Sequence, residues 1–247
     1  MAVSKDQGGS SAYRIVEGAA SWLLLRMRSG LWQVFPVDFL RSVPFETIGV
    51  AVFALSGALM AARKGMDPFG FALLATLTGV GGGTIRDLLI GTRPVFWVGD
   101  PTDVLVCLIV AELVFALGPK RVAMMEGGRQ GRVLLWADAL GLALFAVSGT
   151  GKALAAGVPA LSAIALGTTT ATFGGIIRDI FAGTTPLVLR QEIYVTAAAL
   201  GASVMVALQA TGLDPFLSAA AGFTAAFSLR ALALLRGWSL PAFPRRD

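Results

Sequence analysis

The heptapeptide Gly81-Gly82-Gly83-Thr84-Ile85-Arg86-Asp87 returns as Phe173-Gly174-Gly175-Ile176-Ile177-Arg178-Asp179, a shift of 178 − 86 = 92 residues. The same shift lays Phe53-Ala54-Leu55-Ser56-Gly57 on Phe145-Ala146-Val147-Ser148-Gly149, Pro94 on Pro186 and Glu46 on Asp138. From Phe45 onward roughly 18 of about 50 positions match without a gap, which marks an internal duplication. Both copies lie in apolar stretches. The repeat therefore decides the fold, and the glycines and charges inside it are the first candidates for function.

Working outward, the 247-residue chain is 55% hydrophobic and only 14% charged, with a mean hydropathy of +0.75. Soluble domains carry about 25% charged residues, so the composition is that of a polytopic membrane protein. Apolar windows long enough to cross a hydrocarbon core of about 30 Å fall near residues 45–63, 69–91, 102–118, 133–156, 160–183, 191–210 and 214–235. They are continuous in apolar character and lack the alternation of lipid-facing strands, so the expected fold is all-α with roughly seven transmembrane helices.

Each copy of the repeat holds three spans. Three is odd, so the second copy enters the membrane from the opposite side and the two are inverted about an axis in the membrane plane. The expected organisation is an N-terminal segment at 1–44, repeat one at 45–118, a charged linker at 119–132, repeat two at 133–210, an unpaired seventh helix at 211–236 and a tail at 237–247. The first segment is too short and too charged around Arg26 and Arg28 to span. It reads as an interfacial helix or as an over-extended start of the reading frame.

Several function classes are poorly supported. The chain has no histidine, which removes the commonest metal ligand and general base, and its single Cys107 lies inside a span. Neither an enzyme nor a cofactor or metal site is expected. The formal net charge of +5 does not point to nucleic acid, because the basic residues sit in short loops flanking the spans. Arg63, Lys64, Lys120, Arg121, Arg129, Arg132, Arg190, Arg236, Arg245 and Arg246 gather on one side. The positive-inside rule then puts the C-terminus in the cytoplasm and the N-terminus outside.

Five sets of residues are candidates. Gly81, Gly82 and Gly83 in the second span, and Gly174 and Gly175 in the fifth, each cost a helix about 1 kcal/mol relative to alanine. Several together allow a kink or break whose freed carbonyls suit a cation; close packing of small residues is the competing reading. Arg86, Asp87, Arg178 and Asp179 are ionisable residues in or beside apolar spans, and such residues face a cavity or pair with one another. Neighbours on a helix do not face each other, so Arg86 and Asp87 are expected to find different partners.

Lys152 near the end of the fourth span has Met60 as its repeat counterpart. It reads either as a mobile cation facing a path or as a lysine snorkelling to the interface. Glu46 and Asp138 head the first and fourth spans, as carboxylates at two mouths or as ordinary acids favoured by the helix dipole. The hydroxyls of Thr78, Thr170, Ser56 and Ser148 are able to line a hydrated path or to bond back to their own helices.

The paired Ser-Gly of spans one and four, the Gly-Gly-x-x-Arg-Asp of spans two and five, and Gly91-Thr92-Arg93-Pro94 with Phe96-Trp97 resemble the prokaryotic trimeric intracellular cation (TRIC) channel family. They also resemble a bacterial membrane family named for glycine transport. The resemblance implies a homotrimer in a bacterial inner membrane, an ion path in each subunit flanked by the glycine-broken helices, potassium as the main permeant ion, voltage-sensitive gating, and Lys152 as a gating residue. No Lys-Glu pair in the fourth span aligns with the lipid-binding motif of the animal proteins. A secondary transporter for glycine or another small zwitterion is the alternative, because broken helices serve both.

Overall fold

Aspartate-proline pairs start helices in this chain, and glycines end them. In the computed structural model, residues 45–125, 132–189 and 193–239 are described. They form seven long helices: α1 Phe45–Arg63, α2 Pro68–Ile90, α3 Thr102–Met125, α4 Arg132–Ala155, α5 Ala160–Phe181, α6 Val195–Ala210 and α7 Pro215–Arg236. A single helical turn, Phe96–Gly99, joins α2 to α3, and a 3-10 turn, Leu187–Leu189, follows α5. The expectations for residues 1–44, for 126–131 of the linker and for the end of the tail lie outside the described residues.

The ends follow from local chemistry. Asp67 accepts a hydrogen bond from the Gly70 N–H at 2.8 Å, and Pro68 supplies a backbone already set for the first helical turn. Asp214 and Pro215 repeat the device at the start of α7, where the carboxylate accepts from the N–H groups of Phe216 and Leu217. Gly91 closes α2 in the left-handed conformation at φ 81°, where a side chain would be strained. At Gly118 the backbone leaves the helical region (φ 75°, ψ 165°) before Pro119, so the apolar part of α3 ends where the sequence window ends. Before α3, the hydroxyl and N–H of Thr102 donate to Asp100 and hold its carboxyl below the usual range.

Six helices carry apolar stretches long enough to cross a membrane, and the 16-residue α6 is a shorter apolar helix that completes the seven. Helix α4 is the most enclosed span and α3 the least. The centre is built from α1, α2, α4 and α5, with α1 against α4 and α2 against α5. Phe53 and Phe145, 92 residues apart, meet with ring centroids 5.1 Å apart and planes tilted by 32°.

The contacts around that centre are reciprocal. A Cβ on Gly141 would lie 2.2 Å from Phe53, and one on its counterpart Gly49 3.3 Å from Phe145. A Cβ on Gly82 would lie 2.1 Å from the Thr170 carbonyl oxygen, and one on Gly174 2.5 Å from the Thr78 carbonyl oxygen. Where residue i meets j + 92, residue i + 92 meets j, which is the reciprocity that a twofold relation between two copies produces.

This geometry bears on the expected kink or break, and corrects the break. Both α2 and α5 run as uninterrupted helices through their glycines, so neither is broken there. The missing side chains are used for approach instead: backbone meets backbone at the crossing, a distance at which any Cβ would collide.

Candidate functional site

The long arginine side chain is what the crossing holds in place. On α2, Arg86 lies one turn beyond Gly82, and its guanidinium is fully buried. Nε donates to Asp87 Oδ1 at 2.8 Å, Nη2 lies 2.7 Å from the same oxygen, and Nη1 donates to Glu46 Oε1 on α1 at 3.0 Å. The second oxygen of Asp87 accepts the Phe96 N–H at 3.0 Å, so one carboxylate both pairs with arginine and anchors the turn after α2. Trp97 adds a second tie from that turn, its Nε1–H donating to Thr84 Oγ1 at 2.9 Å.

Lys152 reaches this cluster from α4. Its ammonium pairs with Glu46 Oε2 and lies 5.4 Å from the centroid of the Phe96 ring. The Arg86 guanidinium is 5.7 Å from the same ring. Lys152 is 32% exposed and Glu46 18%, which makes this the cluster that is open to its surroundings.

The second cluster repeats the plan on α5 and closes it. Arg178 donates from Nε to Asp179 Oδ1 at 2.9 Å, places Nη2 2.8 Å from that oxygen, and donates from Nη1 to Asp138 Oδ1 at 2.6 Å. Asp179 Oδ2 accepts the Leu187 N–H at 2.9 Å, anchoring the turn after α5 as Asp87 anchors the turn after α2. Arg178 Nη1 also donates to Ser56 on α1. Arg178 and Asp138 have no exposed surface. Desolvated pairs of this kind cost about 3–5 kcal/mol when one partner is removed, because the other charge is stranded.

In both repeats arginine curls onto its neighbour's carboxylate, a contact that helical spacing did not predict, and each residue also has a partner of its own: Glu46 for Arg86, Asp138 for Arg178, and the N–H of the following turn for each aspartate. Asp138 is fully buried, and of the two acids only Glu46 is partly exposed. Lys152 pairs with Glu46.

The small residues are close-packing positions. Gly83 makes room for the Phe96 ring, at 2.7 Å from a would-be Cβ, and its counterpart Gly175 makes room for the Tyr194 hydroxyl at the same distance. Gly81 faces Ile177. Thr78 and Thr170 donate back to the carbonyls of Leu74 and Leu166 in their own helices. Ser56 serves the second lock, whereas the buried hydroxyl of its counterpart Ser148 has no hydrogen-bond partner among the described residues.

Two participants were not singled out from the sequence. Tyr194, fully buried beside Gly175, closes the second cluster where the first has an opening. Arg230 of α7, also buried, lies 5.2 Å over the Tyr194 ring and donates to the Ile193 carbonyl at 3.4 Å. A cation inside the last apolar window was the available signal, since intramembrane charge is functional by default. Tyr194 carried none, because an aromatic residue at a helix start is ordinary.

The family model described as Glycine transporter matches residues 44–119 and again 135–210, one match for each repeat. A UPF0126 membrane protein of Vibrio cholerae is 40% identical over 200 residues, covering 80% of this chain and 81% of its own. The UPF0126 inner membrane protein YadS of Escherichia coli is 39% identical over 201 residues, covering 80% and 94%. Among solved structures, the TRIC trimeric intracellular cation channel orthologue from Rhodobacter sphaeroides is 51% identical, with a TM-score of 0.74 over 78% of this chain and 97% of that one. A second TRIC cation channel is 31% identical, with a TM-score of 0.73 over 86% and 100%.

Proposed function

The chain belongs to the family of prokaryotic TRIC channels and their relatives named for glycine transport, and on that footing we propose that it is a homotrimeric channel for monovalent cations, potassium above all. Each subunit carries its own path, in a bacterial inner membrane, with the C-terminus in the cytoplasm. The path runs beside the crossing of α2 and α5, at the level of Gly81, Gly82, Gly83, Gly174 and Gly175. Each arginine lies four residues from its crossing glycine, about 6 Å along the helix, so the inverted repeats put one lock on each side of that level. Glu46 and Lys152 then lie in the outer half, and Asp138 with Arg178 in the cytoplasmic half.

The observation that carries this reading is the asymmetry of Lys152. It is the one cation of the two clusters with a partly exposed side chain, held by a single carboxylate at the open end of a path lined by pairs. The membrane field does about 2.3 kcal/mol of work per 100 mV on a charge that crosses it fully, and a lysine that swings through part of the thickness takes up a fraction of that. Gating by voltage is accordingly shallow, with Lys152 as its main charge.

The test is recording from purified protein in planar bilayers under a potassium-to-sodium gradient. A reversal potential displaced toward potassium, with open probability that varies with voltage in the wild type and is flattened in Lys152→Ala, is the expected result. Absence of unitary currents defeats the reading. The alternative, a transporter for glycine or another small zwitterion, draws on the family model's description, but both α2 and α5 guanidiniums already pair with two carboxylates of their own repeat. Coupled, saturable uptake of labelled glycine into liposomes would favour it.

A further inference from the structure

The open cluster holds more negative charge of its own than Arg86 neutralises. Glu46 and Asp87 carry two formal negative charges against the one positive charge of Arg86, and Lys152 arrives from the other repeat to balance them. Its ammonium is placed between a carboxylate oxygen and the face of an aromatic ring, Glu46 Oε2 and Phe96. These two groups together form a receptor for a small cation: the carboxylate supplies charge, and the ring supplies the negative face of its quadrupole without demanding a hydrogen bond. The closed cluster offers nothing comparable, since Asp138 is sealed and the register puts Val188 where Phe96 stands.

We propose that Glu46 Oε2 and the Phe96 ring form a seat for a monovalent cation, that the Lys152 ammonium is its tethered occupant, and that primary alkylammonium ions and potassium compete with it for that seat. The proposal deepens the reading of a cation path and rests on it. The seat is reached when the lysine leaves, and a permeating ion that takes the seat holds the lysine away. Occupancy by ion and by lysine are therefore mutually exclusive.

Truncation to alanine tests this, because n-propylammonium replaces the atoms lost from Cγ to Nζ. Purified Lys152→Ala is titrated with n-propylammonium chloride, using tetramethylammonium chloride at the same ionic strength as the control. The expected result is a rise of about 2–4 °C in the unfolding midpoint at millimolar n-propylammonium, by mass action on the folded state. The rise is absent from the wild type, whose seat is filled, and absent from Lys152→Ala carrying Glu46→Gln as well. Equal response in wild type and variant, or no response in the variant, overturns the proposal.

If Lys152→Ala does not fold, wild-type protein is labelled with an amine-reactive ester in rising potassium chloride against N-methylglucamine chloride. Faster modification of Lys152 in potassium supports the seat, and equal rates refute it. These are binding measurements, so a protein that binds as described yet carries no current would defeat the channel reading alone.

Discussion

The arginine clusters on α2 and α5 share one plan: arginine, the aspartate beside it, an acid 40 residues earlier, and a turn anchored on the aspartate's second oxygen. They differ in their fourth wall. Around Arg178 it is Ser56 and Tyr194, with Arg230 behind the ring, and the cluster is shut. Around Arg86 it is Lys152 and Phe96, and the cluster is partly open. A duplication supplies two copies of one cluster, and a few unmatched residues seal one copy and leave the other partly open.

That division is easiest to break where burial is complete. Arg178→Ala strands two carboxylates in a dry interior, and the expected loss is about 3–5 kcal/mol, read as a sharp fall in folded protein after detergent extraction and in its thermal midpoint. Glu46→Gln, by contrast, is expected to cost clearly less, because glutamine keeps an oxygen for Arg86, Asp87 still neutralises that guanidinium and the site is partly exposed, while the variant changes conductance and frees Lys152. If the two variants lose equal stability, the contrast between a sealed and an open lock does not hold.

Smaller effects sharpen it. Ser56→Ala removes a hydroxyl bonded to a buried guanidinium and is expected to lower stability by about 1.5–3 kcal/mol, whereas Ser148→Ala removes a hydroxyl without such a bond and is expected to be close to neutral. Chemical denaturation of the two variants side by side measures the difference. A still smaller effect is expected of Tyr194→Phe, which keeps the ring under Arg230 and removes only the hydroxyl beside Gly175. A few tenths of a kcal/mol with unchanged currents is the expected outcome, from paired denaturation and bilayer recording.

Much of this architecture was legible beforehand, for physical reasons. Period and hydropathy gave the seven helices, because a bilayer demands uninterrupted apolar length, and the shift of 92 paired Glu46 with Asp138 and Arg86 with Arg178. What it did not reveal was the use of the glycines. A run such as Gly81-Gly82-Gly83 has the same composition whether a helix breaks or a second helix presses against it, and only the carbonyl of Thr170 on a remote segment decides. The curl of Arg86 onto Asp87 was likewise hidden, because helical spacing describes where side chains start and not how far a flexible one folds back. Arg230 lies outside the two repeats and has no twin, and the shift of 92 puts Thr102 opposite Tyr194, so no matched pair drew attention to either.

The arginine locks close within their own halves: Arg86 is neutralised by Glu46 and Asp87, and Arg178 by Asp138 and Asp179. Among the described residues the glycine crossings, the Phe53–Phe145 contact, the serine tie and the lysine bridge join one half to the other. During synthesis, then, the leading three helices can settle in lipid with Arg86 already paired but with one negative charge in surplus. That surplus is met only when the ribosome has made the helix that carries Lys152.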